Sequence, residues 1–392
     1  MKLLVLLPRV PYPLEKGDKL RAFYQIKELS KYHDIYLVAL HDHSIHPDIL
    51  KKIEPYCKEI HLFRLSLFSK VWGVTRALFT GLPMQCGYFY SNKAKRKIQK
   101  LITKIHPDHI YCFMIRMAEY VKKYKECHKT LDYQDVLSMG MKRRYNKAPF
   151  WMKPVFMYEY QALKRYEKNI FSCFTNKTII TAVDRDLIAH LQKQYIHVIP
   201  NGIDFEKFNY FKKEKNYDLI FAGNMSYPPN VDAALFLAKS IFPKLLTHFP
   251  DLKLCICGAN PVNAIKALDS ENIYVTGWVD DISEYYAQSK IFIAPMNLGT
   301  GLQNKLLEAM AMRLPCVTSP LAGKPLEGAQ YNHDFVICDK IDEYVEAVTK
   351  LLNDKQFFNA IAENGYQYVK ANYDWEEIGK KLEDVMNEDV YD

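Results

Sequence analysis

The chain has 392 residues, of which 49% are hydrophobic and 25% are charged, and its formal net charge is +8. At roughly 100–200 residues per domain, this length suggests two domains, and the composition excludes a disordered or fibrous protein. No apolar run approaches the ~20 residues that a membrane-spanning helix needs, so none is predicted.

The chain begins with an apolar segment, Lys2–Val10, that we interpret as a buried strand. Its apolar core is short and no small-residue cleavage site follows, which argues against a signal peptide. Helices are predicted at Lys19–Lys31 and Met152–Ile170 from their apolar stripes. Further strands of the first half are predicted at Asp34–Leu40, Glu59–Leu65, His109–Met114, Lys129–Asp132, Thr178–Thr181 and Ile196–Ile199.

The second half repeats this alternation after Pro200. Its predicted strands are Tyr217–Ala222, Lys253–Cys257, Ile273–Thr276, Ile291–Ala294, Cys316–Ser319 and Phe335–Ile337. Its predicted helices are Val231–His248, Val262–Leu268, Ile282–Gln288 and Gly301–Arg313, followed by a largely helical tail. Strand–helix alternation predicts an α/β fold with mainly parallel sheets covered by helices. The boundary is expected near residues 195–215, where turn residues and charges interrupt the pattern.

Charge is divided unevenly between the halves. Residues 1–175 carry 32 Lys and Arg but 15 Asp and Glu, whereas residues 176–392 carry 21 and 30. The basic half is suited to an anionic membrane or an anionic acceptor, and a merely solvated basic surface remains the alternative. The same choice applies to the aromatic and basic segment Phe63–Tyr90, which fits either an interfacial membrane patch or buried aromatics. No RNA-binding aromatic motif accompanies the charge, so no nucleic-acid partner is expected.

The nine cysteines are scattered, without paired metal-binding spacings. Cys255 and Cys257 fall on one face of a predicted strand, and we expect buried free thiols in a reducing compartment. The histidines include no metalloprotease or zinc-finger spacing, so no metal site is predicted. The predicted location is cytoplasmic, with peripheral placement at the inner face of the plasma membrane as a hypothesis.

Glycines follow four strands of the second half, and ligands of open α/β sheets bind at that edge. They are Gly223, Gly258, Gly277 and the pair Gly299 and Gly301. The last loop precedes a predicted helix on which Gly301, Asn304, Lys305 and Glu308 share a face. The amino end of a helix is suited to binding a diphosphate. Lys305 could neutralise a phosphate charge, and Glu308 could accept hydrogen bonds from two ribose hydroxyls. A surface Lys305–Glu308 pair is the alternative.

Several segments resemble glycosyltransferase family 4, a group of GT-B enzymes. Asn304–Val317 is similar to its signature helix and strand, Pro200–Asp204 to its hinge turn, and Gly277–Tyr286 to its base loop. Lys16–Arg21 and Tyr227–Ala233 are similar to segments of a bacterial subgroup of exopolysaccharide-associated sugar transferases. The resemblance covers most of the second half and is looser in the first.

The resemblance implies a GT-B fold, with two Rossmann-like domains facing each other across a cleft. Residues 1–198, joined by helix 373–392, would bind the acceptor, and residues 199–372 the donor. It implies a retaining transfer, without a required metal or cofactor, from a UDP- or GDP-sugar to a glycan or lipid-linked acceptor in polysaccharide synthesis. A non-catalytic protein that binds a partner glycosyltransferase is the alternative.

The residues implied by the resemblance depart from the family pattern at two positions. Thr300 stands where the first family glutamate is expected, and Asn224 where a phosphate-binding arginine is expected. We therefore expect Lys305 to offset the diphosphate charge, with the Gly17 loop and Arg21 approaching from the other domain. The remaining expected donor contacts are Gly223, Asn224, Gly258, Gly277, Val279, Asp280, Gly299, Thr300, Gly301, Leu302, Asn304 and Glu308. The expected acceptor or cleft residues are Gly17, Asp18, Lys19, Arg21 and Asn201.

Overall fold

The computed structural model describes residues 1–14, 16–42, 45–211, 213–298 and 301–388. The chain divides into two compact units. Unit 1 is Met1–Pro200 together with the segment that begins at Trp375, and unit 2 is Asn201–Asp374. Each unit is built around its own sheet, as the alternation of strands and helices predicts.

Unit 1 contains a seven-stranded sheet with the order β3-β2-β1-β4-β5-β6-β7, and every neighbouring pair is parallel. Its strands are β1 (Lys2–Leu7), β2 (Asp34–His41), β3 (Glu59–Arg64), β4 (His109–Phe113), β5 (His128–Asp132), β6 (Asn176–Ile179) and β7 (His197–Val198). Leu3–Leu7 are buried along their whole length because helices cover both faces of a parallel sheet. β1 ends before the predicted Val10 because Pro8 has no N–H to donate to a neighbouring strand.

The helices of unit 1 lie between these strands. They are α1 (Gly17–Leu29), α2 (Pro47–Lys51), α3 (Leu67–Thr80), α4 (Met84–Tyr88), α5 (Asn92–Ile105), α6 (Ala118–Val121), α7 (Leu137–Lys147), α8 (Lys153–Ile170) and α9 (Ala182–Leu187). The order of the strands reverses at β1 and β4, because the chain first builds outward to β3 and then crosses to the other side of β1. The carboxyl ends of β1 and β4 therefore form a topological switch point, where open α/β sheets bind ligands.

Unit 2 contains a six-stranded parallel sheet with the order β10-β9-β8-β11-β12-β13. Its strands are β8 (Tyr217–Ala222), β9 (Leu254–Cys257), β10 (Ile273–Gly277), β11 (Ser289–Ala294), β12 (Cys316–Thr318) and β13 (Val336–Ile337). Its helices are α10 (Pro228–Phe236), α11 (Phe242–His248), α12 (Asn263–Lys266), α13 (Ile282–Ala287), α14 (Asn304–Ala311), α15 (Pro320–Gly323), α16 (Ile341–Asn353) and α17 (Lys355–Asn372).

The helix predicted as Val231–His248 is interrupted in the structure. A π-helical turn, Leu237–Ile241, separates α10 from α11. It ends two residues before Pro243, which has no N–H for the carbonyl four residues earlier, so regular α-helical bonding is broken there.

The last helix, α18 (Trp375–Asn387), belongs to unit 1. Trp375 stacks on Tyr24 of α1, with 5.1 Å between the ring centroids. Gly379 lies against Glu28 so closely that an added Cβ would be 2.5 Å from the Glu28 Cβ. The end of the chain thus completes the core beside β1. The nine cysteines are free, as predicted, with Cys255 and Cys257 buried.

Candidate functional site

Two strand-end glycines form the floor of the carboxyl edge of the unit 2 sheet. Gly223 follows β8 and Gly258 follows β9, the adjacent strand. Both have positive φ, of 154° and 146°. A Cβ on Gly258 would be 1.8 Å from the carbonyl oxygen of Gly223, so no larger residue fits without moving the backbone. Gly277 ends β10 with a φ of 72°, and open space surrounds its Cβ position.

Helix α14 begins later than the sequence predicts. Its first residue is Asn304, with Gln303 in an extended conformation at the N-cap, so the predicted start at Gly301 is wrong. Gly301 has a φ of 73°, which a helix cannot contain, and it does not share the helix face with Lys305 and Glu308. Leu302 packs against the core of unit 2. Gly299 and Thr300 lie outside the described residues.

Lys305 lies in the first turn of α14 and points into a largely apolar recess. Its Nζ donates a hydrogen bond to Oδ1 of Asn230 and lies 4.9 Å from the ring centroid of Phe221. Nζ is also 3.9 Å from the sulfur of Met296. Burial lowers the pKa of Lys305 to about 8, and Glu308 partly opposes this effect. Among the described residues, Lys305 has no carboxylate within ion-pair distance, so an anionic ligand would stabilise its charged form.

Glu308 lies one turn further along the same helix face. Its Oε2 accepts a hydrogen bond of 3.1 Å from the hydroxyl of Tyr286, which is fully buried. Burial raises the pKa of Glu308, whereas Tyr286, Lys207 and Lys305 lower it. We call Lys305, Glu308, Asn230 and Tyr286 the Lys305–Glu308 site. It presents one cation and one carboxylate at the carboxyl edge of the sheet, where glycines allow a ligand to approach the backbone closely.

The other predicted donor residues surround this site with different roles. The Asn224 Oδ1 accepts hydrogen bonds from the amide and hydroxyl of Ser226, so this side chain is used within its own turn. Asn201 donates to Oδ1 of Asn304 over 3.3 Å. In the loop after β10, Val279 packs against the core, while Asp280 is exposed and lies 3.4 Å from the indole nitrogen of Trp278.

The sequence did not indicate the roles of Asn230 and Tyr286. Asn230 lies at the start of α10, where it joins Lys305 to the backbone of Asn224 through a second hydrogen bond of 3.0 Å. Tyr286 looks like an ordinary core residue of an amphipathic helix, because no local pattern shows that its hydroxyl reaches another helix. Only the proximity of α10 and α13 to α14 reveals these two contacts.

In unit 1, the segment after β1 contains four of the predicted residues, the last of which is Arg21. Gly17 is the first residue of α1 and is exposed, with open space at its Cβ position. The Oδ2 of Asp18 accepts a hydrogen bond of 2.5 Å from Arg9. Lys19 lines a cavity of about 310 Å³ together with Arg9 and Lys16.

Arg21, for which we predicted a role in turnover, lies in the interior of unit 1. Its side chain is fully buried, and Nε forms an ion pair of 2.7 Å with Asp132 at the end of β5. Its Nη1 donates to the carbonyl oxygen of Pro200 over 3.0 Å. Tyr111 and Gln25 also donate to Asp132, so the guanidinium is part of a buried network inside unit 1. These contacts favour a structural role for Arg21, and its predicted role in turnover stays a prediction.

A cavity of about 1020 Å³ in unit 2 lies at the opposite edge of the sheet, where β8 and β9 begin. It contains none of the predicted donor residues. We place the functional site at the carboxyl edge, because open α/β sheets bind ligands there and because Lys305 and Glu308, whose pKa values are shifted by burial, lie there. In the part of the chain that the structure describes, no cluster of three or more His, Cys, Asp or Glu is arranged to hold a metal ion.

The chain matches known proteins both in sequence and in fold. Residues 216–354 match the family model described as glycosyl transferases group 1. The chain is 23% identical over 402 residues to a 44.6 kDa protein of the cps region of Klebsiella pneumoniae, covering 96% of this chain and 97% of that one. It is 25% identical over 202 residues to a capsular polysaccharide biosynthesis glycosyltransferase of Staphylococcus aureus, covering 48% of this chain and 53% of the relative.

Among solved structures, the fold is similar to that of the Anabaena protein HepE, which was solved in complex with UDP. The TM-score is 0.67 at 14% identity, and the alignment covers 98% of this chain and 99% of that one. Residues 216–354 include β8 to β13 and α14, and thus the whole Lys305–Glu308 site. Unit 2 therefore carries a glycosyl transferases group 1 domain, and the chain is a glycosyltransferase of the GT-B fold.

Proposed function

We propose that the chain transfers a sugar from a nucleotide-sugar donor on unit 2 to a glycan or lipid-linked acceptor on unit 1, in the synthesis of a surface polysaccharide. The observation that carries the proposal is that Lys305 and Glu308 lie on the same face of α14, at the carboxyl edge of the sheet. The relatives from capsule and cps regions support the pathway class, and the UDP complex of HepE supports a nucleotide ligand.

The leaving group in this proposal is a nucleoside diphosphate, which gains negative charge as the bond to the sugar breaks. Lys305 would offset that charge in a recess that excludes most water. The first backbone amides of α14 would add to it, because the Gln303 side chain makes no capping hydrogen bond with them. Glu308, ionised and held by Tyr286, would accept hydrogen bonds from the ribose hydroxyls.

The chemistry in this scheme is mostly positioning and electrostatic stabilisation. A phosphate oxygen of the leaving group would remove the proton of the acceptor hydroxyl on the same face of the sugar. That route retains the configuration at the anomeric carbon. We propose it, together with membership of glycosyltransferase family 4, because Asn304–Val317 resembles the signature segment of that family.

The experiment that tests the proposal measures binding of UDP, GDP, UDP-sugars and GDP-sugars by calorimetry, for the parent protein and for Glu308→Gln. We expect one nucleotide to bind the parent and to bind the variant more weakly. Release of nucleoside diphosphate in the presence of a lipid-linked or oligosaccharide acceptor then tests transfer. Failure of every nucleotide to bind the folded parent protein would contradict the donor assignment.

We also infer that unit 1 rests on an anionic membrane, and helix α3 carries the argument. Its buried residues are the small ones, Gly73 and Ala77, and Gly73 packs directly on the backbone of Gly87 in α4. Its large apolar residues point outward instead, which reverses the usual pattern of a helix on a globular protein. Those exposed residues are Leu67, Phe68, Val71, Trp72, Leu78 and Phe79.

A second exposed apolar group lies at the start of α8. Phe150, Trp151, Met152 and Val155 are all exposed. The Tyr158 hydroxyl of α8 lies 3.5 Å from the carbonyl oxygen of Leu78 at the end of α3, so the two segments adjoin. We call these ten residues, six on α3 and four in the turn before α8 and its first turn, the apolar surface. An exposed apolar patch of this kind on a globular protein marks an interaction site.

The charges beside the apolar surface favour an anionic bilayer over a protein partner. Residues 66–82 and 137–158 together contain seven Lys and Arg and no Asp or Glu. Exposed Trp and Phe among cationic side chains suit the boundary between lipid head groups and acyl chains. Among the described residues, no helix is long and apolar enough to cross the membrane. The contact we infer is therefore peripheral.

A further inference from the structure

Two arginines lie just after the carboxyl ends of β1 and β4, at the topological switch point of the unit 1 sheet. β1 and β4 are adjacent and parallel, with Leu6 opposite Cys112, so the residues after each strand emerge side by side. Arg9 follows β1 and Arg116 follows β4. Between β4 and Arg116, Met114 has a φ of 65°, an unusual value for a residue with a side chain. Backbone strain of this kind is concentrated at functional sites.

The two guanidinium groups share one aromatic ring. The Cζ of Arg9 lies 5.8 Å from the ring centroid of Phe89, and the Cζ of Arg116 lies 5.2 Å from it. Phe89 is buried and is thus a fixed platform. The ring holds both cations near each other, although their charges repel.

The charge of Arg116 is poorly compensated inside the protein. Its Nη2 donates to the neutral Oε1 of Gln85, and its buried Nε has no hydrogen-bond partner among the described residues. No described carboxylate lies within ion-pair distance of Arg116, and Asp18 is bonded to Arg9. Glu159 lies nearby, but its oxygens accept from the amides of Met84 and Gln85. Burial and the charge of Arg9 both lower the pKa of Arg116 from its ordinary value, which shows that its ionised form lacks full compensation.

Arg9 lines the cavity of about 310 Å³ in unit 1, whereas Arg116 adjoins it only through the Phe89 ring that the two arginines share. Arg9, Lys16 and Lys19 line this cavity, together with Phe89 and the neighbouring Tyr88. Among the residues that the structure describes, one carboxylate, Asp42, also lines it, and this group is paired with Lys70. The cavity therefore carries an excess of positive charge and has room for a ligand group larger than a single ion.

We propose that this crevice binds a phosphate or diphosphate ester of the acceptor, with Arg9 and Arg116 as the residues that contact its oxygens. The inference rests on the proposed function for the identity of the ligand as acceptor, but the anion site itself does not. Two guanidinium groups on one rigid ring match the several oxygens of a phosphate ester, which arginine binds in a bidentate manner. A nucleoside diphosphate offers the same chemistry, so the test must separate the two sources.

Calorimetry with farnesyl diphosphate and with the nucleoside diphosphate that binds best, UDP or GDP, provides that test. We expect Arg116→Gln to weaken farnesyl diphosphate binding at least tenfold and to leave nucleotide binding unchanged, whereas Glu308→Gln should do the reverse. Arg64→Gln, which removes an exposed cation at the end of β3, is the matched control and should change neither. If Arg116→Gln does not fold, as judged by its melting curve, Arg9→Gln serves the same comparison.

Three outcomes are informative. Unchanged farnesyl diphosphate affinity in a folded Arg116→Gln or Arg9→Gln variant overturns the proposal. Weakened nucleotide binding with unchanged farnesyl diphosphate binding also overturns it, because the anion is then the donor's. Loss of nucleotide binding in the parent would contradict the proposed function, while farnesyl diphosphate binding that depends on Arg116 would still support the anion site.

Discussion

The hydroxyl of Tyr286 donates a hydrogen bond of 3.1 Å to Oε2 of Glu308. Tyr286 lies on α13 and Glu308 on α14, so the bond joins two helices that are separated in sequence by β11. Burial raises the pKa of the carboxyl group, and the tyrosine opposes this shift by stabilising the ionised form. The ionised carboxylate is the form that accepts hydrogen bonds from ribose hydroxyls.

Glu308→Gln should weaken nucleotide binding by about 1–3 kcal/mol, the usual effect of losing a hydrogen bond to a charged group. Tyr286→Phe removes only the supporting bond and should cost about 0.5–1.5 kcal/mol. Calorimetry measures both changes. Glu271→Gln, which alters an exposed carboxylate of the same unit, is the control. Equal nucleotide affinity in the parent and in Glu308→Gln would exclude Glu308 from the ribose site.

Lys305 should make donor binding depend on pH. Its pKa is lowered to about 8, and a bound diphosphate favours the charged form, so binding should take up a proton near this pH. Nucleotide affinity should therefore fall as pH rises above about 8. Lys305→Gln should bind more weakly at pH 7, turn over more slowly, and lose this dependence. If nucleotide affinity of the variant falls above pH 8 as it does in the parent, another titrating group causes the pH dependence.

Free energy of unfolding gives a second measurement on Lys305. The pKa in the folded protein is about 8 against an ordinary value of 10.5, so the unfolded chain binds more protons between these values. Stability in the absence of ligand should accordingly rise with pH across this interval, by an amount that Lys305→Gln removes. Urea unfolding of both proteins at pH 7.5 and pH 9.5 tests the sign.

Arg21→Ala should destabilise unit 1 rather than impair a chemical step. Removing one partner of a fully buried ion pair leaves Asp132 uncompensated, at a cost of about 3–5 kcal/mol. Urea unfolding measures this loss, with Lys52→Ala as a control at an exposed lysine. Nucleotide affinity should be unchanged in whatever fraction of the variant is folded. A variant as stable as the parent but slow in transfer would restore a catalytic role.

The apolar surface should be required for membrane binding. Phe79 is 87% exposed and Trp151 is 67% exposed, and together they sample both of its segments. We expect the parent to co-sediment with anionic phosphatidylglycerol vesicles more than with neutral phosphatidylcholine vesicles, and less as salt rises. Phe79→Ser with Trp151→Ser should reduce this binding at least tenfold.

Leu191→Ser is the matched control for that experiment, because Leu191 is 94% exposed but lies outside the apolar surface. Its vesicle binding should equal that of the parent. If the parent binds neutral and anionic vesicles equally at low salt, the basic residues form only a solvated face. If instead the parent forms a dimer and the double variant does not, the partner of the apolar surface is a second copy of the chain.

Gly258→Ala should disturb the floor of the donor site. The added Cβ would lie 1.8 Å from the Gly223 carbonyl oxygen, and the φ of 146° is unfavourable for alanine. We expect a loss of stability of about 2 kcal/mol or more and weaker nucleotide binding. Gly17→Ala, where the Cβ position is open, should leave the melting temperature unchanged. A normal melting temperature for Gly258→Ala would contradict this account.

The sequence by itself determined the features that depend on local periodicity. Alternating strands and helices predicted the α/β architecture, and β8 begins and ends at the predicted residues Tyr217 and Ala222. Lys305 and Glu308 are three residues apart, so any helix at that position brings them to one face. Strand-end glycines identified the open edge of the unit 2 sheet because parallel strands bring their carboxyl ends together.

Only the tertiary structure decided which side chains meet across long separations and which face of an element is exposed. Arg21 lies in a segment with catalytic resemblance, yet Asp132, 111 residues away, holds it in the interior. The composition of Phe63–Tyr90 left both buried and exposed aromatics open. In the structure, Gly73 packs on Gly87, and the large side chains of α3 face outward. Burial, ion pairing and the shared Phe89 ring arise from contacts between distant segments, which no local pattern of residues encodes.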